Sequence, residues 1–473
     1  MSRKLLVTSA PGEIRCALLE DNRPVEIRLY RDHEPSYVGA IYLGRIRSVS
    51  RELQAAFVEL ENGPEGFLPL KLLPKPAGGD KTQKKPAKKP KDLTQLVSEG
   101  QKIIVQVTRD PVDGKEASLT GRIELHSSGL VLHPFRAGAF VSSRIKDPDR
   151  RHALKSFGES LELGGLGLTF RTEAADLPDQ QLADMADRLL GQWKAIEKNL
   201  AVTIAPKLLA QGPEPLSQIM RTFSSNSLEA VIFDHAADMK KAHEWTGSFA
   251  PELTGRLQQA AAGEDIFSQY GVEDDLESLF EKRLPLNSGG WITIEETEAL
   301  TAVDVNTGGA LLSTDREQQI LRLNREAARE IFRQLRLRAI GGLIVIDFVN
   351  MSGKGEVTAL MDVIDNLIQA DPQQTQRSNI SAFGLLELIR KADVTSLGAK
   401  MLTARVPQPN VATRALELLR EATLDAEREP GKPCSLKGPA AVLDWIRKHP
   451  TYKEEFTRRT GSQLTLEEDK RDQ

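Results

Sequence analysis

Residues 291–309, WITIEETEALTAVDVNTGG, and residues 342–351, GLIVIDFVNM, decide the fold. The first stretch reads as two antiparallel strands, and the second, a continuous apolar run, reads as a buried strand. Between them, residues 313–338, STDREQQILRLNREAAREIFRQLRLR, place Ile320, Leu323, Ala327, Ile331 and Leu335 on one face of a long helix. Thr314 with Glu317 forms a capping box at its start, and Gly341-Gly342 is expected to end it. Residues 356–370, EVTALMDVIDNLIQA, read as a second amphipathic helix. Strands alternating with helices make this an α/β region.

The chemistry of these stretches lies in two aspartates. Strand alternation puts Leu300, Ala302, Asp304 and Asn306 on one face, and Asp347 on a face with Leu343 and Val345. Both aspartates follow apolar strand residues and lie where a sheet opens to solvent. Two carboxylates on adjacent strand ends suffice for one Mg²⁺, which keeps several waters and takes its remaining oxygens from a substrate phosphate. Such an ion can activate water and neutralise charge on a phosphodiester. Asn306 is placed to orient a ligand or the attacking water. The bland alternative stands beside this: a single aspartate at a strand end is often a turn former or helix cap, and such a pair also suits phosphatases and phosphodiesterases.

Working outward, residues 13–30 read as two short strands around a turn at residues 20–24. From Tyr37 to about Leu125, short alternating strands (YVGAIYLGRIRSVS, QAAFVEL, EGFLPL, KIIVQVTRD, ASLTGRIEL) recur at intervals typical of a small β-barrel. Residues 74–91, PKPAGGDKTQKKPAKKPK, interrupt it with a Lys/Pro/Gly run that has no apolar face, read as a disordered basic loop. That loop is equally a solvated linker or a weak RNA-attracting arm. Residues 126–208 hold a strand-like GLGLTFRT and a helix-like stretch from Pro178 to Asn199. Short strand and helix signals alternate from Leu216 to Phe280, and from Val411 onward the chain reads as helical and charged.

Composition bounds the rest. A chain of 473 residues exceeds one core, so several domains are expected. A net charge of −4 excludes a uniformly cationic nucleic-acid binder and confines any RNA site to a local surface. Two distant cysteines, Cys16 and Cys434, argue against a disulfide scaffold and against a cysteine zinc site. The opening MSRKLLVTSAPGE lacks the apolar run of a signal peptide, and no stretch approaches the roughly 20 apolar residues of a membrane helix. A soluble, cytoplasmic protein is expected.

The runs ITIEETEALTAVDVNTGG, NREAAREIFRQLRLR, GGLIVIDFVNM and SAFGLLELIRK resemble the catalytic region of the ribonuclease E/ribonuclease G family. Residues 41–70, IYLGRIRSVSRELQAAFVELENGPEGFLPL, resemble that family's RNA-binding OB-fold domain. The resemblance covers roughly residues 1–400 and is closer to the short, ribonuclease G-like form. It implies an α+β multidomain architecture. Residues 1–35 and 209–285 would form an RNase H-like subdomain, into which an OB-fold of residues 36–125 inserts. A 5′-sensor would occupy 126–208, a DNase I-like catalytic subdomain 286–400, and a small helical region 401–473.

The resemblance also implies roles: Asp304 and Asp347 as the ligands of one magnesium ion, with Asn306 beside them in catalysis. It implies endonucleolytic hydrolysis of single-stranded, often AU-rich RNA, in RNA decay or rRNA and tRNA processing. Phe57, Phe67 and Lys115 match the family's RNA-gripping positions; on residue type alone the two phenylalanines would be barrel core and Lys115 an ordinary turn lysine. Arg171, Thr172 and Val131 match its pocket for an RNA 5′-monophosphate, a role suited to a guanidinium beside a hydroxyl. Without the resemblance Arg171 would be a surface ion-pair residue.

Three departures qualify this. Residues 392–410, ADVTSLGAKMLTARVPQPN, lack the family's Cys-x-x-Cys, so zinc is not expected, and any homodimer would form without a zinc link. Ser127 stands where the family has a glycine and Gln374 where it has an arginine, so the expected 5′-end preference is weakened or absent. The 74–91 loop is an insertion, and with no long tail a degradosome scaffold is not expected. Two rivals remain: a catalytically inactive RNA-binding regulator, disfavoured by Asp304, Asn306 and Asp347 occurring together, and a phosphoesterase on another substrate, disfavoured by the barrel.

Overall fold

The computed structural model describes residues 2–73, 93–111, 116–225, 227–261, 263–281, 283–308, 316–381, 383–391, 394–403, 406–429 and 432–468. The basic stretch 74–91, Lys115 and the capping-box residue Thr314 lie outside them. The chain forms two compact units, one of residues 1–33, 230–236 and 258–473, the other of residues 34–229 and 237–257.

The first unit carries two sheets. Its five-stranded sheet runs in the order Leu257–Gln259, Leu228–Phe233, Arg3–Ala10, Glu13–Glu20 and Arg23–Arg31. The turn expected at residues 20–24 joins the last two of these strands. The Arg3–Ala10 strand was not expected, because LLV is a short signal beside Lys and Thr. It is set by antiparallel pairing that closes on Ala10↔Glu13 around Pro11-Gly12. Gly12 has φ +83°, and a Cβ there would lie 2.7 Å from the Tyr452 ring, so only glycine fits.

The second sheet runs Leu284–Pro285, Trp291–Glu296, Thr301–Asn306, Gly342–Asp347, Leu385–Arg390, Thr375–Arg377. Helices Arg316–Leu337 and Lys354–Ala370 supply the residues that pack with it, and Ile320, Leu323, Ala327, Ile331 and Leu335 are all buried, as the periodicity predicts. Ile292, Val303, Val305, Ile344, Ile346, Leu386 and Leu388 join the helix residues in one apolar core. Burying these side chains is worth roughly 1.5–3 kcal/mol each, and this fixes which sheet face points inward.

Two expectations are corrected here. Gly342–Asp347 is buried on one face only: Ile344 and Ile346 face the core while Gly342, Leu343 and Asp347 are exposed. Both helices pack on the same side, so a continuous apolar run here does not mean burial on both faces. The helix also ends before Gly341-Gly342. It stops at Leu337, and Ala339 takes the left-handed φ of +55°. The buried Arg390 guanidinium donates to the Leu335 and Ile340 carbonyls at 3.2 and 2.6 Å and pairs with buried Asp371 at 2.7 Å. Those bonds hold the turn, so a glycine is not needed to relieve it.

The C-terminal part is helical over Val411–Arg428, Ala440–Arg447 and Pro450–Thr460. It also contains two parallel strands, Cys434–Gly438 and Leu464–Glu468, which the helical reading overlooked because each is only five residues long. This segment has its own apolar core around Leu416, Leu419, Leu443 and Phe456.

The second unit holds a closed barrel. Strands Ile41–Ser50, Ala55–Glu59, Gly66–Pro69, Ala117–Thr120 and Lys102–Arg109 follow one another, and Ile41–Ser50 also pairs with Lys102–Arg109. Closure removes the open edges. All five match the strands expected from alternation. Lys207–Ala210 adds to Ile41–Ser50 and was not anticipated. A four-stranded sheet of Gly138–Val141, Gly167–Phe170, Leu130–His133 and Leu125–His126 packs through Leu130, Leu132, Leu168 and Phe170 with helix Asp179–Val202, close to the expected Pro178–Asn199.

Candidate active site

Thr301–Asn306 and Gly342–Asp347 pair in parallel, and their register makes Asp304 and Asp347 direct Cα partners. The two carboxylates therefore sit side by side, on strands spaced about 4.8 Å apart. Both are exposed, while their neighbours Val303, Val305 and Ile346 are buried. Alternation does this: the strand residues that hold the core and those that carry the carboxylates are on opposite faces. Asn306 Nδ2 donates to Asp304 Oδ2 at 2.6 Å, which fixes the orientation of that carboxylate. The row across the sheet is completed by Thr293, partner of Asp304, and Leu385, partner of Asp347.

The chain just past Asp347 is held from below. Asn324, fully buried on the long helix, donates through Nδ2 to the Val349 carbonyl at 2.7 Å and accepts from the Val349 N–H at 3.1 Å. Sequence reasoning missed this residue. Its signal was a polar side chain inside the apolar stripe, between Leu323 and Ala327. Two carboxylates at an open sheet end, with one already oriented, are a donor set that fits a single Mg²⁺ completed by water and phosphate oxygens. Among the described residues no group of three or more His, Cys, Asp or Glu is arranged for a metal.

In the barrel, Phe57 and Phe67 are Cα partners on adjacent antiparallel strands. Their rings meet edge to face at 5.8 Å, and both are half-buried among otherwise buried neighbours. They are a surface pair rather than core. Lys115, the third position, lies outside the described residues.

Arg171, Thr172 and Val131 come together at the end of the Gly167–Phe170 strand. The Arg171 N–H donates to the Gly129 carbonyl at 2.8 Å, and its Nη1 donates to the Ser127 carbonyl at 3.2 Å. Arg171 Nε also lies 3.7 Å from Glu173. Thr172 Oγ1 is exposed, 3.5 Å from Ser142 Oγ. Val131 is 8% exposed and pairs with Thr169 and His126, so its side chain offers little surface. His126 Nε2 is 3.5 Å from Glu124, and that hydrogen bond holds the Glu124 carboxyl below its usual range. Ser127 is fully buried, its hydroxyl bonded to Leu130 N–H and carbonyl at 3.1 and 3.3 Å. Gln374 is in the other unit, where its carbonyl accepts from Lys391 N–H at 2.9 Å.

Comparison with known proteins gives concordant results. The model of the ribonuclease E/G family matches residues 124–393. Ribonuclease G of Haemophilus influenzae is 33% identical over 398 residues, 83% of this chain and 80% of that protein. Ribonuclease G of Escherichia coli K12 is 32% identical over 398 residues with the same coverage. Ribonuclease E of Haemophilus influenzae is 33% identical over 401 residues, 84% of this chain but 42% of that longer protein.

Proposed function

Because the chain belongs to the ribonuclease E/G family, we propose that it is a magnesium-dependent endoribonuclease that hydrolyses phosphodiester bonds in single-stranded RNA. The observation that carries this is the register pairing of Asp304 with Asp347 on an open sheet face, with Asn306 bonded to Asp304. Asp304 and Asp347 would hold one Mg²⁺. When bound, the ion supplies charge neutralisation on the phosphodiester and a more acidic water. Asn306 orients the Asp304 carboxylate and, through its carbonyl oxygen, a water. The Phe57–Phe67 pair stacks unpaired bases, and Lys115 attracts the phosphates. An OB-like barrel that binds by stacking is tolerant of sequence and selects single strands, because paired bases have no free faces.

Arg171 and Thr172 would receive an RNA 5′-monophosphate, with Val131 forming the floor. The Ser127 carbonyl takes one N–H of the Arg171 guanidinium, while the Ser127 hydroxyl is taken up by its own turn and does not compete for the rest. We expect any 5′-end preference to be carried by Arg171 and Thr172. RNA decay and rRNA or tRNA processing are the roles this chemistry suits. A cytoplasmic location accords with two free cysteines and with the absence, among the described residues, of a helix long and apolar enough to cross a membrane. Any assembly of copies would form without a cysteine zinc link.

The test is a 3′-blocked, internally labelled single-stranded oligonucleotide incubated with the protein and Mg²⁺. Internal cuts that leave intact the same sequence in duplex form support the reading. Products shortened stepwise from one end, or RNA that is bound but never cut, contradict it.

A further inference from the structure

The turn that leads into the strand beside Asp347 carries a second feature. Phe383 is 87% exposed, more than any other exposed large apolar side chain among the described residues. A scattered exposed apolar residue is ordinary, but this one is held out by a built turn. Ser381 N–H donates to the Leu385 carbonyl at 2.8 Å, and Gly384 N–H donates to the Ser381 carbonyl at 3.0 Å. Ser381 Oγ accepts from the Phe383 and Leu385 N–H groups, each at 3.3 Å. Gly384 takes φ +85°, and a Cβ there would lie 2.8 Å from Asn350 Oδ1. These bonds tie Ser381, Gly384 and Leu385 together around Phe383, whose ring meets water.

The turn is also fixed relative to the site. Leu385 is the Cα partner of Asp347, so Phe383 Cα, two residues away, lies within about 13 Å of the Asp347 Cα. Asn350, against Gly384, is three residues beyond Asp347 in the chain. On the same face Leu343 and Ile389 are Cα partners and both exposed, separated from the carboxylates by the row of Val345 and exposed Glu387.

We propose that Phe383 is a base-stacking residue of the candidate active site, holding the face of a nucleobase next to the phosphodiester to be cut. The inference rests on the ribonuclease reading and deepens it. A hydrolytic site that grips its substrate by phosphate alone lets the strand slide, and an aromatic face fixed beside the carboxylates stops one base and so positions one phosphate. Stacking needs no hydrogen-bond code, which suits a nuclease of broad substrate range. It also gives a role to a large aromatic side chain that is 87% exposed.

The test compares wild type, Phe383→Ala and Phe383→Trp on one single-stranded RNA with a defined cut site, and on copies carrying a single abasic position walked across that site. Phe383→Ala should lower kcat/KM about 5- to 100-fold and blur the cut position, while Phe383→Trp restores both. One abasic position should cost wild type a similar factor and cost Phe383→Ala nothing further, the coupling expected when two groups act as a pair. Equal abasic losses in both proteins, or Phe383→Ala at the wild-type rate, overturn the proposal while leaving the nuclease standing. A wild type that cuts no RNA removes the nuclease reading and this inference with it. Light scattering that shows Phe383→Ala dissociating an oligomer, without coupling to an abasic site, assigns the apolar face to a second copy of the chain and overturns the stacking role.

Discussion

Asn324 is the deepest support of the candidate site, and replacing it separates geometry from chemistry. In Asn324→Leu the branched side-chain shape and heavy-atom count are kept, but both hydrogen bonds to Val349 are lost. Each buried backbone group left without a partner costs about 1–3 kcal/mol. Val349 is half-buried, so water recovers part of this, and the leucine gains roughly 1–2 kcal/mol of apolar burial. The net loss is about 2 kcal/mol, which for a unit of this size lowers Tm by roughly 4–8 °C. The larger effect is on the rate. Val349 is two residues from Asp347, and a shift of about 1 Å in that carboxylate costs on the order of 100-fold. Asn324→Leu should therefore reduce kcat about 10- to 100-fold with KM nearly unchanged, because no RNA-gripping residue is touched. Asn324→Asp keeps the acceptor for the Val349 N–H and loses the donor, so it should fall between. Thermal melts and single-turnover cleavage at saturating RNA measure both effects. Asn324→Leu that melts and cuts like wild type would refute the claim that this residue holds the Asp347 segment.

Other outcomes follow from the same structure. Phe57→Ala or Phe67→Ala should weaken single-stranded RNA binding by about 1–3 kcal/mol, measured by fluorescence anisotropy, with duplex binding little changed. Arg171→Gln should bring cleavage rates of 5′-monophosphorylated and 5′-hydroxyl RNA to the same value, and a ratio above one that survives the change would place the sensor elsewhere. Buried Glu13 bonds Arg31 at 2.8 Å and pairs with Arg420; burial raises its pKa, but Arg420, Arg31 and Arg15 outweigh that and bring it down to about 2. A depressed folded value contributes stability that is complete above the unfolded value near 4.3 and is lost as pH falls toward 2. Glu13→Gln should thus lower the urea midpoint at pH 7 and leave little difference from wild type near pH 2, as read from unfolding curves across that window.

The sheet of the candidate site was legible because its signals are local. Period-two strands, a 22-residue amphipathic helix and an Asp late in each strand marked both the elements and the carboxylate faces. What was not legible depends on partners far along the chain. Arg3–Ala10 becomes a strand by pairing with residues 13–20 and with Leu228–Phe233, and Lys207–Ala210 by pairing with Ile41–Ser50. Ala339 ends the helix because Arg390 holds the turn's carbonyls. Gly342–Asp347 looked buried on both faces, and only the placement of both helices on one side leaves Leu343 and Asp347 in water. Exposure is a tertiary property, and so Phe57 and Phe67 read as core residues by type yet are only half-buried, while the exposure of Phe383 went unread.

The central claim is that Asp304 and Asp347 together make one magnesium-dependent cutting site. Its most direct test is single-turnover cleavage of a single-stranded RNA by wild type, Asp304→Asn and Asp347→Asn, each titrated with Mg²⁺ and then treated with chelator, with RNA binding followed in parallel. The account predicts a wild-type rate that saturates with Mg²⁺ and vanishes on chelation, and a loss of at least about 100-fold in either variant with RNA affinity kept. Cleavage by either variant at the wild-type rate, or a wild-type rate indifferent to the chelator, would contradict it.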